Sequence, residues 1–315
     1  MQYDSKISIA VCTFNGERFL AEQLQSLVDQ SYRNTQIVIV DDCSTDGTRA
    51  ILERFKKDYA NIEVHYNEIN LGYIKNFENA LNYCTGDFIA LCDQDDIWHL
   101  NKLEILLAKI KKDEIMLYHN SALISPEGIA LKKNLSETIG YISDGNQYNL
   151  LLNNCIAGHA MMFRKSLLSK ILPLPTSIPH DHWIAYVALT VGKMRYLKTP
   201  LVNYRQHTTS VTFTLHQKEY QDDLNQAEMQ RQRKLKINND RILHLHTLKK
   251  FSDNTEDDRK FIQKLADYLG TKNKGKFSFR LFLFMIWNQT SLFKLYHKSF
   301  FSNVVLIFKE CKGIK

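Results

Sequence analysis

The sequence lacks the glycine-rich loops that hold phosphate groups in many nucleotide-binding proteins. No G-x-G-x-x-G follows the first predicted strand, and no G-x-x-x-x-G-K-[ST] occurs anywhere in the 315 residues. Both loops bind phosphate through backbone N–H groups. A phosphate-bearing ligand would therefore need a metal ion here in place of a glycine cradle.

The sequence also has few cysteines and no long apolar run. Its six cysteines contain no C-x-x-C pair, and most lie in apolar segments, as reduced core residues of cytosolic proteins do. The N-terminus lacks a charged start followed by an apolar stretch, so we expect no signal peptide. The apolar run 281–287 is shorter than the about 20 residues that cross a bilayer. These features predict a cytoplasmic protein.

Positive charge is concentrated near the C-terminus. The formal net charge is +7, but residues 1–212 carry 21 Lys and Arg against 23 Asp and Glu, whereas residues 213–315 carry 20 against 11. A basic segment can meet nucleic acid, anionic lipid or only water. We predict a catalytic domain over 1–212 and a basic helical region over 213–315.

Short apolar runs alternate with helical patterns over the first hundred residues. Strands are predicted at 7–12, 37–40, 62–66 and 88–92, each followed or preceded by a segment of helical periodicity. Strand and helix repeated with short links predict an α/β fold with a mostly parallel, doubly wound sheet, whose ligands bind at the carboxyl ends of the strands.

An acidic cluster, Asp93-Gln94-Asp95-Asp96, follows the strand predicted at 88–92. Two carboxylates spaced i, i+2 at a strand end can converge on one divalent ion that also holds a diphosphate, and their hard oxygen ligands suit Mg²⁺ or Mn²⁺. Taken alone, such a cluster is more typical of a solvated acidic turn with an Asp helix cap, and it is the rest of the chain that favours a metal site.

Polar side chains also lie at the ends of other predicted strands and helices. Asp41 and Asp42 end the second strand, where a carboxylate accepts hydrogen bonds from a base or ribose, or only shapes the loop. Asp181 lies at a proline-rich entry to a helix, where it is a candidate general base or only the helix cap. His207 is a candidate third ligand for metal or phosphate, or a surface histidine.

The C-terminal region pairs basic and apolar residues. Lys272, Lys274, Lys276 and Arg280 precede the run 281–287, and a second run covers 304–308. Aromatic and aliphatic residues flanked by Lys and Arg are typical of segments that lie in a membrane interface. The alternative is a helical bundle with a basic face.

Taken together and in order, these motifs resemble those of the inverting family 2 glycosyltransferases, which have the GT-A fold. The resemblance covers roughly residues 5–212. It includes Val11–Glu17, Ile39–Thr48, Asn70-Leu71-Gly72 with Asn76, Asp87–Trp98, Gly158–Arg164, His180–Trp183 and Tyr204–Thr208. The Asp-Gln-Asp-Asp-Ile-Trp and Tyr-Arg-Gln-His segments are most similar to rhamnosyltransferase-type members that build bacterial surface polysaccharides.

The resemblance implies a role for each matching residue. Asp181 would be the general base, and Mn²⁺ or Mg²⁺ would be held by Asp95 with Asp93 and His207. The family commonly has Glu-Asp where this chain has His180-Asp181. The residues implied to bind the nucleotide sugar are Thr13, Asn15, Glu17, Asp41, Asp42, Asn76, Asp93, Gln94 and Trp183.

The resemblance also implies the partners. The preferred donor is dTDP-rhamnose, with UDP-glucose and UDP-galactose as alternatives, and the acceptor is a lipid-linked saccharide at the inner face of the membrane. A nucleotidyltransferase would carry a glycine-rich basic loop where Thr13-Phe14-Asn15-Gly16 stands. The near-neutral 1–212 body offers no basic groove, so we expect no nucleic acid. A non-catalytic nucleotide-binding protein is the remaining alternative.

Overall fold

The computed structural model describes residues 4–207, 226–294 and 300–314. The chain divides into two compact units, one of Met1–Asp144 with Ile156–Gln206, the other of Gly145–Cys155 with His207–Lys315. The boundary predicted between residues 212 and 213 lies outside the described residues, and the division into 1–212 and 213–315 stays a prediction. The segment 145–155, expected in the catalytic domain, belongs to the second unit.

The first unit is built on one nine-stranded sheet. The strand order is β3-β2-β1-β4-β8-β6-β9-β5, with β7 paired to β6. The strands are β1 Ile7–Thr13, β2 Thr35–Asp41, β3 Ile62–Tyr66, β4 Phe88–Cys92, β5 Ile97–Trp98, β6 Glu114–Ile124, β7 Ala130–Asn134, β8 Met161–Arg164 and β9 Lys193–Arg205.

The four predicted strands are β1 to β4, and they pair in parallel. β1 lies between β2 and β4, with Ile9 opposite Ile37 on one side and Ala90 on the other. β1, β2 and β4 are apolar at most positions because both faces of a parallel sheet are covered by helices. In β3, at the edge of the sheet, buried Ile62 and Val64 alternate with exposed Glu63. Their carboxyl ends meet at one edge, where Thr13 is opposite Asp41 and the acidic cluster follows β4.

The other half of the sheet is mixed. β8 is antiparallel to both β4 and β6, β9 is parallel to β6, and β5 is antiparallel to β9. β9 is one long strand, and its register against β6 shifts between Leu197 and Asn203. The predicted α/β class is confirmed.

In the described part of the first unit, seven α-helices accompany this sheet. In α1, Leu20, Leu24 and Leu27 are buried at helical spacing, so one stripe packs on the core. α7 is apolar nearly all round and is buried from His182 to Leu189. The helices are α1 Leu20–Val28, α2 Thr48–Asp58, α3 Tyr73–Tyr83, α4 Lys102–Lys109, α5 Leu135–Ile139, α6 Leu168–Ile171 and α7 His180–Val191.

The second unit is helical. Its helices are α8 Gln226–Lys249, α9 Glu256–Lys272, α10 Phe279–Trp287, α11 Gln289–Leu292 and α12 Phe300–Glu310. Thr255 and Asp258 form a capping box at the start of α9, and Tyr148 and Gln147 also donate hydrogen bonds to Asp258. These bonds attach the segment 145–155 to α9. Among the described residues, no helix has the length and hydropathy needed to cross a bilayer.

Candidate functional site

The loop after β1 is tied to the loop after β2 by three of the predicted nucleotide-binding residues. Thr13 donates a hydrogen bond from Oγ1 to Asp41 Oδ1 (3.0 Å). Asn15, with a positive φ of 47°, accepts from the Thr45 N–H (2.9 Å), and Glu17 accepts from the Gly47 N–H (2.6 Å). The two loops therefore form one preorganised wall at the carboxyl edge of the sheet.

The carboxylates that end β2 are engaged with the protein. Asp41 is buried and accepts from the Ser44 N–H and hydroxyl. Both oxygens of Asp42 are used, because it accepts from Asn67 Nδ2, the Leu71 N–H and the Gly72 N–H at 2.8 Å each. These bonds fix the chain between β3 and α3. Direct contact of either carboxylate with a base or ribose stays a prediction.

Two other predicted binding residues also have internal partners. Buried Asn76 donates to the Val40 carbonyl (2.9 Å). Gln94 pairs with the backbone of Phe14, accepting from its N–H (2.8 Å) and donating to its carbonyl (3.0 Å). Gln94 thus joins the loop after β4 to the loop after β1.

Two aspartates and a histidine lie close together in the structure, and we call this group the Asp–Asp–His cluster. Asp93, Asp96 and His159 each place one ligand atom within 4.8 Å of the others. His159 Nδ1 lies 3.5 Å from Oδ2 of both carboxylates, and its Nε2 lies 2.9 Å from Ser121 Oγ. Asp96 and His159 are buried, whereas the side chain of Asp93 is 38% exposed. The cluster is therefore reached from the Asp93 side.

The two carboxylates differ in electrostatics. Burial raises the pKa of Asp96 well above its usual value, and the charges of Asp95 and Asp93 raise it further. Burial would also raise the pKa of Asp93, but the hydrogen bond and charge of His159 bring it below its usual value. Buried Lys102 donates to the His159 carbonyl (2.7 Å), and burial lowers the pKa of its ammonium to about 7. A bound cation would stabilise the ionised form of Asp96 against burial and the neighbouring carboxylates.

The Asp–Asp–His cluster fits a divalent metal ion. Oδ2 of Asp96 is buried and has no hydrogen-bond partner among the described residues. Carboxylate oxygen with one imidazole nitrogen is a donor set that Mn²⁺ accepts and that also holds other divalent metals. The predicted ligands Asp95 and His207 are outside this cluster. Half-buried Asp95 accepts at its carbonyl from Arg205 (2.8 Å), and His207 belongs to the second unit. Both stay predictions as ligands.

Sequence reasoning missed two members of the cluster. Asp96 was visible in the Asp-Gln-Asp-Asp motif, but the i, i+2 spacing favoured Asp93 and Asp95. His159 lies in an apolar segment at the start of β8, and nothing in its local sequence distinguishes it from a core histidine. Only the pairing of β8 beside β4 brings it to the acidic residues.

Asp181 lies in the first turn of α7, close to the same edge. It accepts from the His182 N–H (2.6 Å), and its charge, after burial, raises the pKa of Tyr73. A Cβ built on Gly158 would lie 3.8 Å from the Cβ of Asp181, and Gly158 directly precedes His159. The predicted base and the Asp–Asp–His cluster therefore adjoin one another.

Trp183, another predicted binding residue, anchors the helix that carries Asp181. Its indole is buried and donates from Nε1 to the Ile171 carbonyl (2.9 Å). This bond connects α7 to the end of α6. A direct contact between Trp183 and a nucleotide sugar stays a prediction.

A family model supports the assignment that this site suggests. Residues 8–172 match the model of "Glycosyl transferase family 2". Because the match covers more than half of the chain, the chain belongs to glycosyltransferase family 2. The resemblance read from the motifs is confirmed at the level of the family.

Named relatives come from several bacteria. The chain is 32% identical over 180 residues to the UDP-Glc:alpha-D-GlcNAc-diphosphoundecaprenol beta-1,3-glucosyltransferase WfgD of Escherichia coli, covering 57% of this chain and 66% of that protein. It is 31% identical over 153 residues to the putative teichuronic acid biosynthesis glycosyltransferase TuaG of Bacillus subtilis, covering 48% and 59%. The chain thus spans about half to two thirds of these relatives.

A solved structure shares the fold. The crystal structure of S. aureus TarS 1-349 in complex with UDP-GlcNAc has a TM-score of 0.58 and 19% identity, with 96% of this chain and 89% of that chain covered. The predicted GT-A fold with a C-terminal helical region is confirmed.

Proposed function

We propose that this chain is an inverting, metal-dependent glycosyltransferase that moves a sugar from a nucleoside diphosphate donor to a saccharide acceptor. The observation that supports this most is the juxtaposition of Asp181 with the Asp–Asp–His cluster at the carboxyl edge of the sheet. One group can accept a proton there, and the other can hold a cation beside a diphosphate.

The chain's own residues supply one proton transfer. Asp181 takes the proton from an acceptor hydroxyl as that oxygen attacks the anomeric carbon, and a single displacement inverts the configuration. Asp93, Asp96 and His159 would hold the metal ion, with Asp95 and His207 as further predicted ligands. The bound ion would neutralise charge on the leaving nucleoside diphosphate.

Two donors are supported by different observations. The names of WfgD and of a beta-1,3-glucosyltransferase of Campylobacter jejuni, 27% identical over 164 residues, favour UDP-glucose. The Asp-Gln-Asp-Asp-Ile-Trp and Tyr-Arg-Gln-His segments favour dTDP-rhamnose, and UDP-galactose is a third alternative. We propose UDP-glucose as the first donor to test, because named relatives support it.

We also propose a lipid-linked acceptor and contact with an anionic membrane surface at the inner face of the cell membrane. The names of these relatives include diphosphoundecaprenol and PP-undecaprenol. In the second unit, Phe279, Leu283 and Trp287 recur every fourth residue of α10 and are exposed, Trp287 by 85%. An exposed aromatic stripe on a basic unit is suited to the headgroup region of a bilayer.

Ligand-induced thermal stabilisation tests nucleotide binding. A ligand that binds only the folded state raises the melting temperature by mass action. We expect either UDP and UDP-glucose or dTDP and dTDP-rhamnose to do so, and only when Mn²⁺ or Mg²⁺ is present. Asp93→Ala should remove the metal-dependent shift, whereas Asp113→Asn, an exposed carboxylate paired with Lys193, should keep it. A wild-type chain that no nucleotide stabilises would contradict the proposed function.

The general base is tested separately. In Asp181→Asn, we expect transfer to fall by roughly 10²–10⁴-fold, because the amide cannot accept the acceptor's proton. The thermal shift by nucleotide and metal should remain. Retention of wild-type transfer in the steady state would exclude Asp181 as the base.

A further inference from the structure

The histidine before the predicted base has polar atoms that the protein leaves unpaired. His180 is 7% exposed, and neither Nδ1 nor Nε2 has a hydrogen-bond partner among the described residues. Buried polar groups in native proteins nearly always have partners, and each exception needs an explanation.

Two aromatic rings and a glycine surround the imidazole of His180. The imidazole stacks on Phe77 with ring centres 4.1 Å apart, and it forms an edge-to-face contact with Tyr73 with ring centres 5.8 Å apart. On the other side, a Cβ built on Gly158 would lie 3.0 Å from Nε2. Because residue 158 is glycine, no Cβ covers Nε2 from this side.

The chemistry around this imidazole selects a neutral ligand. Burial lowers the pKa of His180 to about 4, although the charge of Asp93 opposes this. The neutral ring offers one donor and one acceptor nitrogen. The carboxylates of Asp93 and Asp181 repel an anion, so a phosphate group is disfavoured here. A sugar hydroxyl can accept from an imidazole N–H and donate to a carboxylate, and the ring of Phe77 can pack against C–H groups.

We propose that His180 binds one hydroxyl group of the donor sugar and thereby helps to determine which sugar the enzyme accepts. The hydroxyl oxygen accepts a hydrogen bond from the imidazole N–H of His180, and the hydroxyl O–H donates a hydrogen bond to the Asp93 carboxylate. This inference rests on the proposed function, since it requires a nucleotide-sugar donor.

Binding of deoxy sugars measures the contact without an acceptor. The dissociation constants of UDP, UDP-glucose and its 2-, 3-, 4- and 6-deoxy analogues are measured by calorimetry with Mn²⁺, for wild type and His180→Phe. Phenylalanine keeps the stacking on Phe77 and removes both nitrogens. We expect wild type to bind one deoxy analogue at least tenfold more weakly than UDP-glucose. His180→Phe should bind that analogue and UDP-glucose equally, and its affinity for UDP should stay within twofold of the wild-type value.

A matched control separates recognition from stacking. His65 also stacks on an aromatic ring, that of Tyr83 at 3.7 Å, and its buried Nε2 also lacks a partner among the described residues. His65→Phe should keep every wild-type ratio. If His180→Phe is unstable, His180→Asn, which keeps a donor and an acceptor, should retain part of the discrimination.

Two results would overturn the proposal: unchanged ratios for all analogues in His180→Phe, or no wild-type discrimination against any analogue. A variant that loses affinity for UDP and every sugar equally would assign His180 a structural role. Failure of wild type to bind any nucleotide would instead contradict the proposed function.

Discussion

At the scale of single residues, the carboxylates at the strand ends hold loops as well as line the site. Asp42 shows this most clearly, because its two oxygens accept three hydrogen bonds from the chain between β3 and α3. Buried donors that lose their acceptor keep their desolvation cost. Side chains predicted from sequence as ligand-binding groups therefore also carry stability.

Asp42→Asn should destabilise the protein. The amide nitrogen cannot accept, so at least one of the Asn67, Leu71 and Gly72 donors loses its partner, at a cost of about 1–3 kcal/mol. Urea unfolding followed by fluorescence measures the change, and Asp113→Asn should cost less than about 0.5 kcal/mol. Equal midpoints for the two variants would show that the Asp42 bonds contribute no net stability.

At the scale of elements, the helices of the second unit are joined by a partly buried ion group. Glu310 on α12 accepts from Arg241 on α8 (3.1 Å) and from Lys272 on α9 (3.3 Å). Burial alone would raise the pKa of Glu310, but the two cations bring it below its usual value. Its carboxylate is thus more strongly stabilised in the folded state than in the unfolded chain.

Glu310→Gln should reduce stability in a pH-dependent way. Because the folded-state pKa is depressed, this stability is present above the unfolded value of about 4.3 and is lost as the pH falls through the folded value. We expect a loss of roughly 1–3 kcal/mol at pH 7 that shrinks below pH 4.5. Denaturant unfolding of the wild type and Glu310→Gln at pH 7 and at pH 4 measures this difference in the free energy of unfolding.

Glu256 provides the matched control for this element. It is exposed and forms an i, i+4 pair with Lys260 at 3.8 Å, and such pairs contribute less than about 0.5 kcal/mol. Glu256→Gln should therefore change stability little at either pH. A loss in Glu310→Gln that is the same at pH 7 and pH 4 would contradict the charge-based explanation.

At the scale of the whole molecule, charge and exposed apolar surface are unevenly distributed along the chain. Residues 213–315 carry 20 basic against 11 acidic residues, and the second unit exposes aromatic side chains on α10 and α12, including Trp287 (85%) and Phe301 (79%). Exposed aromatic side chains near basic residues favour an anionic interface over water.

The double variant Trp287→Ser/Phe301→Ser should bind anionic liposomes less than the wild type. Loss of two inserted aromatic side chains removes apolar burial, so we expect at least a tenfold weaker partition at about 25 cal/mol per Å². Flotation with phosphatidylglycerol vesicles measures it, and binding should also weaken in high salt. Ile69 is an exposed residue of the first unit, and the control variant Ile69→Ser should float like the wild type. Equal flotation of the wild type, the double variant and Ile69→Ser would exclude the aromatic side chains of α10 and α12 as the membrane-binding surface.

Local patterns of residues were sufficient to predict the early strands and helices and the chemistry at their ends. The strands β1 to β4, the helices between them, the acidic cluster after β4 and Asp181 at a helix start were all predictable, because periodicity and capping depend on residues close in the chain. The family followed from the order of those motifs.

Contacts between residues that are distant in the chain could not be predicted in this way. The insertion of antiparallel β8 between β4 and β6 brings His159 to Asp93 and Asp96, and the segment 145–155 joins the second unit. Asn76, Gln94 and Trp183 form internal hydrogen bonds whose partners are distant in sequence or in another element. Such contacts depend on strand pairing and packing between distant segments, which local periodicity does not encode.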